Sequence, residues 1–288
     1  MRNAVIAILA CALVGIERAG SGQTTSITNV APATIVQVPS ASLNEKRAVT
    51  VLLPDAYARS GSRYPVLYLL HGGGQDHTAF ATRDWFRAQS TRGMIIVTPN
   101  VGESWYVNSV VDPKAKFEDF VVKDLVSYID TNYRTIGSRE SRAVAGVSMG
   151  GWGAMLLGLK HHQLFTAVGA LSAPYLISRQ SPNMDMSSRE QQTFGAPGSP
   201  ERRERDPGAL LADIPLDVVP QLYLASGNQD IFVIDNRRFV ERLTERKIPY
   251  EYREISLRGH SWELWDDQLV NFIEILSRRW SQARVSRN

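Results

Sequence analysis

The sequence predicts an α/β fold, a mostly parallel sheet with helices on both faces and an antiparallel start. Short apolar runs alternate with helix-length segments, the order that builds such a sheet. Residues able to do chemistry fall just past the carboxyl ends of those runs, where sheets of this kind form their sites. A chain of 288 residues with 43% hydrophobic content is long enough for one large domain over residues 30–280, with no second core required.

Strands are expected over 34–39 and 47–53, then over 65–70, where Pro65-Val66-Leu67-Tyr68-Leu69-Leu70 reads as buried and runs into His71-Gly72-Gly73-Gly74. A helix over 78–89 and a strand over 94–99, ending at Asn100, follow. A helix over 117–132 precedes the apolar run Ala143-Val144-Ala145 in a strand over 142–147. The stretch that starts at Trp152 is helix-forming and implies a helix over 149–160, followed by a strand over 166–171. From 173 to 215 the chain loses strong periodicity. A segment of that length in a compact domain is a candidate cap over a pocket or an ordered surface excursion. Pro220 to Ser226 reads as a buried strand that Gly227-Asn228-Gln229-Asp230 turns out of. An amphipathic helix over 235–247, a strand over 250–255 and a helix over 261–278 complete the order.

At the junction of the strand over 142–147 and its helix stands Gly146-Val147-Ser148-Met149-Gly150-Gly151, a serine between glycines in the G-x-S-x-G pattern. A sharp strand-to-helix turn exposes the hydroxyl and brings neighbouring backbone too close for side chains at Gly146 and Gly150. The Met149 N–H then lies at a helix N-terminus, where unpaired donors favour negative charge. A serine hydroxyl is a weak nucleophile and needs a base, an acid to orient that base, and a second oxyanion donor.

The chain has five histidines. In the chain order that goes with this turn the base lies downstream of the serine, which removes His71 and His77. His161-His162 lie about 20 Å along the helix and are expected at a solvated helix end. His260, in a turn after the strand over 250–255, is the expected base. Asp230 is the expected acid. Its competitor Asp235 is expected to cap the helix that follows. The loop His71-Gly72-Gly73-Gly74 offers Gly73 N–H as the second donor, beside Met149 N–H. Trp105 and Tyr106, after the strand over 94–99, are the candidate aromatic wall for an acyl or aryl group. Trp152, Trp262 and Trp265 are expected in the core.

The run Tyr64 to Gly72, the serine turn, the pairs Phe194-Gly195 and Asp206-Pro207, Gly227 to Asp230, and Gly259-His260-Ser261-Trp262 with Trp265 resemble the esterase D-like group of α/β-hydrolases. That group includes tributyrin-type and feruloyl esterases, S-formylglutathione hydrolases and mycolyltransferases. The resemblance spans about residue 35 to residue 278. It implies the α/β-hydrolase fold, Ser148, Asp230 and His260 as triad, Gly73 and Met149 as oxyanion hole, and no metal or organic cofactor. The glycine loop departs from the mycolyltransferases. An exported start departs from the cytosolic S-formylglutathione hydrolases.

The start in question is Met1-Arg2-Asn3 followed by a nearly unbroken apolar run over 4–16, the order of a secretory signal and too short to span a bilayer. Residues 1–22 are therefore expected to be a signal peptide. The single cysteine, Cys11, lies inside that run, and lipid attachment there is not expected. The net charge of +3 is small and interspersed. The run Glu201 to Asp206 reads as a solvated mixed-charge loop, and nothing points to nucleic acid. The expected partner is an ester substrate, small or linked to a polysaccharide, and oligomeric state is not legible. Three functions fit: carboxylic ester hydrolysis through an acyl-enzyme, acyl transfer to a sugar or alcohol by the same triad, and binding on a hydrolase scaffold without catalysis.

Overall fold

The computed structural model describes residues 33–176 and 192–285. The expected signal segment, Cys11 and part of the 173–215 stretch lie outside the described residues. Eight strands form one sheet in the order β1-β2-β4-β3-β5-β6-β7-β8. β1 (Thr34–Ser40) pairs antiparallel with β2 (Glu45–Leu52), and β2 antiparallel with β4 (Ile95–Pro99). From β4 onward the sheet is parallel through β3 (Val66–Leu70), β5 (Arg142–Val147), β6 (Ala167–Leu171), β7 (Gln221–Gly227) and β8 (Tyr250–Ile255). The expected α/β-hydrolase architecture with its antiparallel start is therefore present.

Every residue of β3, β4, β5 and β6 is buried because helices cover both faces. Alternate side chains feed two separate cores. Val66, Tyr68 and Leu70 pack with Trp152, Leu156 and Phe120 on one face. Leu67 and Leu69 pack with Phe86, Phe272 and Leu276 on the other. The helices are α1 (Asp84–Ala88), α2 (Phe117–Asp119, continued through a π-turn at Phe120–Leu125 into Val126–Asn132), α3 (Met149–Lys160), α4 (Pro200–Arg203), α5 (Pro207–Asp213), α6 (Val233–Glu245) and α7 (Trp262–Val285). Among the described residues no helix is long and apolar enough to cross a membrane.

Three expectations need correction. The helix expected over 78–89 begins only at Asp84, because the Asp76 carboxylate accepts from Thr78 N–H at 2.8 Å and Thr78 Oγ at 2.6 Å and holds a turn instead. The run Glu201 to Asp206 is not a solvated loop. Ser199 caps α4, Asp206 caps α5, and the Arg202 guanidinium is buried on the Gly195 carbonyl at 2.6 Å. At the end of α3, His161 is not solvated either, since its Nε2 meets the buried Glu118 carboxylate at 2.8 Å beside Lys160.

Candidate active site

β5 ends at Val147 and α3 begins at Met149, leaving Ser148 alone in the turn with φ 54° and ψ −121°. A serine adopts that left-handed conformation only where its surroundings impose it. Here the Ser148 N–H is tied to the Leu171 carbonyl of β6 at 2.8 Å. A Cβ on Gly146 would lie 2.7 Å from the Leu70 carbonyl, and one on Gly150 would overlap that carbonyl and lie 2.6 Å from His71 O. These neighbours are backbone, so both glycines are steric requirements of the turn.

β7 delivers Asp230 and the loop after β8 delivers His260. The His260 Nε2 lies 3.0 Å from Ser148 Oγ, and its Nδ1 lies 3.1 and 3.2 Å from the two Asp230 oxygens. With Nδ1–H donated to the carboxylate, Nε2 is free to accept the serine proton. Burial pushes the Asp230 carboxyl up, but hydrogen bonds from His260, Ser172 and the Phe232 N–H outweigh it and hold the carboxyl below its ordinary range. Asp235 sits in the first turn of α6 without capping it. Its carboxylate accepts from Leu176 N–H at 3.2 Å, and burial raises its pKa.

The imidazole is held edge-on by two rings, Phe232 at 5.1 Å and Trp265 at 4.9 Å. Trp265 also donates from Nε1 to Ser172 Oγ at 2.9 Å, so the tryptophan expected only to fill the core lies against the base as well. Ser172 and Phe232 carry no sequence signal, since nothing in one dimension brings them to His260.

On the other side of Ser148 the glycine loop turns its amides in three directions. Gly72 N–H donates to Gln75 Oε1 at 3.0 Å and Gly74 N–H to the Glu103 carboxylate. Among the described residues neither the Gly73 N–H nor the Met149 N–H meets a hydrogen-bond acceptor, which leaves both donors open to a ligand oxygen. His71 is a buried support. Its Nδ1–H donates to the Gly72 carbonyl at 2.9 Å and its Nε2 accepts from Val101 N–H at 3.3 Å. Burial lowers its pKa and keeps it in the neutral form this arrangement needs.

Tyr106 does not line an open wall. It is fully buried, its hydroxyl donates to the His71 carbonyl at 2.8 Å, and its ring fills the space left by Gly153. Trp105 is half-buried and meets Trp152 and Phe194 edge to face at 5.6 Å each. Asn100 shapes the same loop through Gly102 N–H and Arg47. A cavity of about 420 Å³ opens beside Glu103, lined also by Arg47, Asp112, Phe117, Gln192 and Thr193.

A family model described as "Putative esterase" matches residues 40–274. An esterase of Mycobacterium tuberculosis is 33% identical over 242 residues, covering 72% of this chain and 51% of that protein, so the chain spans about half the length of this relative. An acetyl esterase of Caldicellulosiruptor saccharolyticus is 26% identical over 222 residues, 74% of this chain and 83% of the relative. Among solved structures, a ferulic acid esterase superposes with a TM-score of 0.74 at 29% identity, covering 86% of this chain and 97% of that one.

Proposed function

This chain belongs to the esterase family whose model spans residues 40–274, and from that premise we propose that it is a serine carboxylesterase acting through Ser148, His260 and Asp230. His260 Nε2 takes the Ser148 proton as Oγ attacks the ester carbonyl carbon. Asp230 stabilises the imidazolium that results, and the amides of Gly73 and Met149 receive the oxyanion. Collapse of the tetrahedral intermediate breaks the carbon–oxygen bond to the alcohol, which leaves with the proton from His260. Water, deprotonated by the same imidazole, then releases the acid and restores Ser148.

One observation carries this reading: the continuous hydrogen-bond chain from Ser148 Oγ through His260 to a buried, ionised Asp230, 3.0 Å on one side and 3.1 Å on the other. The esterase names of its relatives support an acyl group of acetyl to feruloyl type. The basic-then-apolar segment at residues 1–16 supports action outside the cytoplasm.

The test is hydrolysis of 4-nitrophenyl acetate, 4-nitrophenyl butyrate and methyl ferulate by the wild type and by Ser148→Ala. The substitution is expected to lower kcat by at least about 1,000-fold on every accepted ester. Undiminished turnover by Ser148→Ala overturns the reading. Adding sugar or alcohol acceptors to the same assay reports whether the acyl-enzyme transfers to them instead of to water.

A further inference from the structure

The glycine loop after β3 is bolted from outside by the loop after β4. Residues 100–106 reach it at three points. Val101 N–H donates to His71 Nε2 at 3.3 Å, the Tyr106 hydroxyl donates to the His71 carbonyl at 2.8 Å, and Glu103 accepts from Gly74 N–H. The first two bolts are buried. The third lies at the surface. A Cβ built on Gly73 would lie 3.4 Å from Glu103 Oε2, so the carboxylate stands directly against Gly73.

The bolting loop is itself in an unusual conformation. Trp105 and Tyr106 both have positive φ, 56° and 58°, values that side chains adopt only where packing imposes them. Packing does so here, through the Tyr106 ring against Gly153 and the Trp105 ring against Trp152 and Phe194. Glu103 is thus presented on a rigid mount.

Its charge is the second observation. Glu103 forms no ion pair among the described residues. Arg47, the cation that lines the same cavity, is engaged by Glu45, by the Asn100 carbonyl and by the Phe117 ring. An uncompensated carboxylate therefore stands beside the amide where negative charge develops in the reaction, an arrangement that repels any further anion. The cavity it borders mixes apolar walls from Val101, Val107 and Phe117 with polar ones from Ser104, Gln192 and Thr193, and Asp112 brings a second carboxylate to it.

We propose that Glu103 positions the oxyanion loop through its bond to Gly74 N–H and, by its charge, makes the site discriminate against esters whose alcohol carries an anionic group. The proposal rests on the esterase reading of Ser148. Two charges about 6 Å apart in a solvent-exposed setting correspond to roughly a threefold to tenfold penalty, weakened by salt.

The experiment compares 4-acetoxybenzoate, which is anionic, with its neutral methyl ester, for the wild type, Glu103→Gln and Glu103→Ala. Glu103→Gln keeps an acceptor oxygen and removes the charge. The ratio of kcat/KM for the anionic over the neutral ester is expected to rise about threefold to tenfold in that variant. The wild-type ratio is expected to rise with added sodium chloride. Glu103→Ala also loses the bolt, so kcat on the neutral ester falls about tenfold with KM nearly unchanged.

Hydrogen exchange reads the bolt without activity. Amides of the peptide spanning residues 71–76 exchange faster in Glu103→Ala, and in Glu103→Gln exchange as in the wild type. An unchanged ester ratio in Glu103→Gln overturns the selectivity, and unchanged exchange in Glu103→Ala overturns the positioning. If the wild type hydrolyses neither ester, the esterase reading fails and takes the selectivity with it, while the exchange measurement still decides the bolt.

Discussion

Ser148 is an energetically uncomfortable residue in a turn that tolerates only glycine two positions before it and two after. Its positive φ survives because β6 holds its N–H and because Gly146 and Gly150 let two backbones touch. Gly150→Ala is therefore expected to abolish the native turn, since the added methyl meets the Leu70 and His71 carbonyls, which cannot swing aside. Gly61, whose added methyl meets nothing within 4 Å, is the control. Thermal unfolding checks the pair: Gly61→Ala keeps the wild-type Tm within a few degrees, and Gly150→Ala lowers it by about 10 °C or fails to accumulate as folded protein. Ser148, His260 and Asp230 were legible as candidates because each stands in a turn with a nearby glycine just after an expected strand. Glu103, Ser172 and Phe232 were not, because their importance lies in contacts with residues dozens of positions away, which no local pattern encodes. Tyr106 was legible as an aromatic near the site and misjudged as its wall, because sequence does not say which way a strained loop turns its rings.

At the scale of elements, α2 and α3 are locked together at their far ends by a buried charge. Glu118 lies 4% exposed between Lys160 Nζ at 2.9 Å and His161 Nε2 at 2.8 Å. Burial raises its carboxyl pKa, yet the hydrogen bond from His161 and the charge of Lys160 outweigh that, and the net shift is downward. A depressed carboxylate pKa adds stability that is present above the unfolded value, about 4.3, and is lost as pH falls through the lower folded value. Glu118→Gln is accordingly expected to cost about 1–3 kcal/mol near neutrality. The cost should shrink as the pH falls below about 4, so that Tm curves of variant and wild type converge in acid. Curves that stay parallel over the whole range contradict the pairing. The same scale explains which elements the sequence hid. α4 and α5 are four and seven residues long, too short for helical periodicity to register, although Ser199-Pro200 and Asp206-Pro207 are cap-and-proline starts that a search for helix beginnings would find.

Across the whole molecule, the parallel sheet makes neighbours of residues 112 positions apart, since Ser148, Asp230 and His260 all leave strands at the same edge. Between the last two loops, Gly227 lets the backbone of Arg258 pass without a side chain to push them apart, which keeps Asp230 within hydrogen-bond reach of His260. The mostly parallel sheet and its antiparallel start were readable from the alternation of apolar runs with helices, whereas the strand order was not. The clamp of the β4 loop over the β3 loop was not readable either, because no local pattern tells which groups of residues 100–106 turn toward His71 and Gly74. The proposed roles of Ser148 as nucleophile, His260 as its base and the Gly73 and Met149 amides as oxyanion donors imply one reactivity that needs no knowledge of the natural ester. Treating the folded protein with a fluorophosphonate and mapping the adduct by peptide mass spectrometry tests that directly. A single adduct on the peptide containing Ser148, absent from Ser148→Ala and strongly slowed in His260→Ala, is the expected result. A folded protein that takes no adduct at Ser148, or takes it equally well without His260, contradicts the assignment of this serine as the nucleophile.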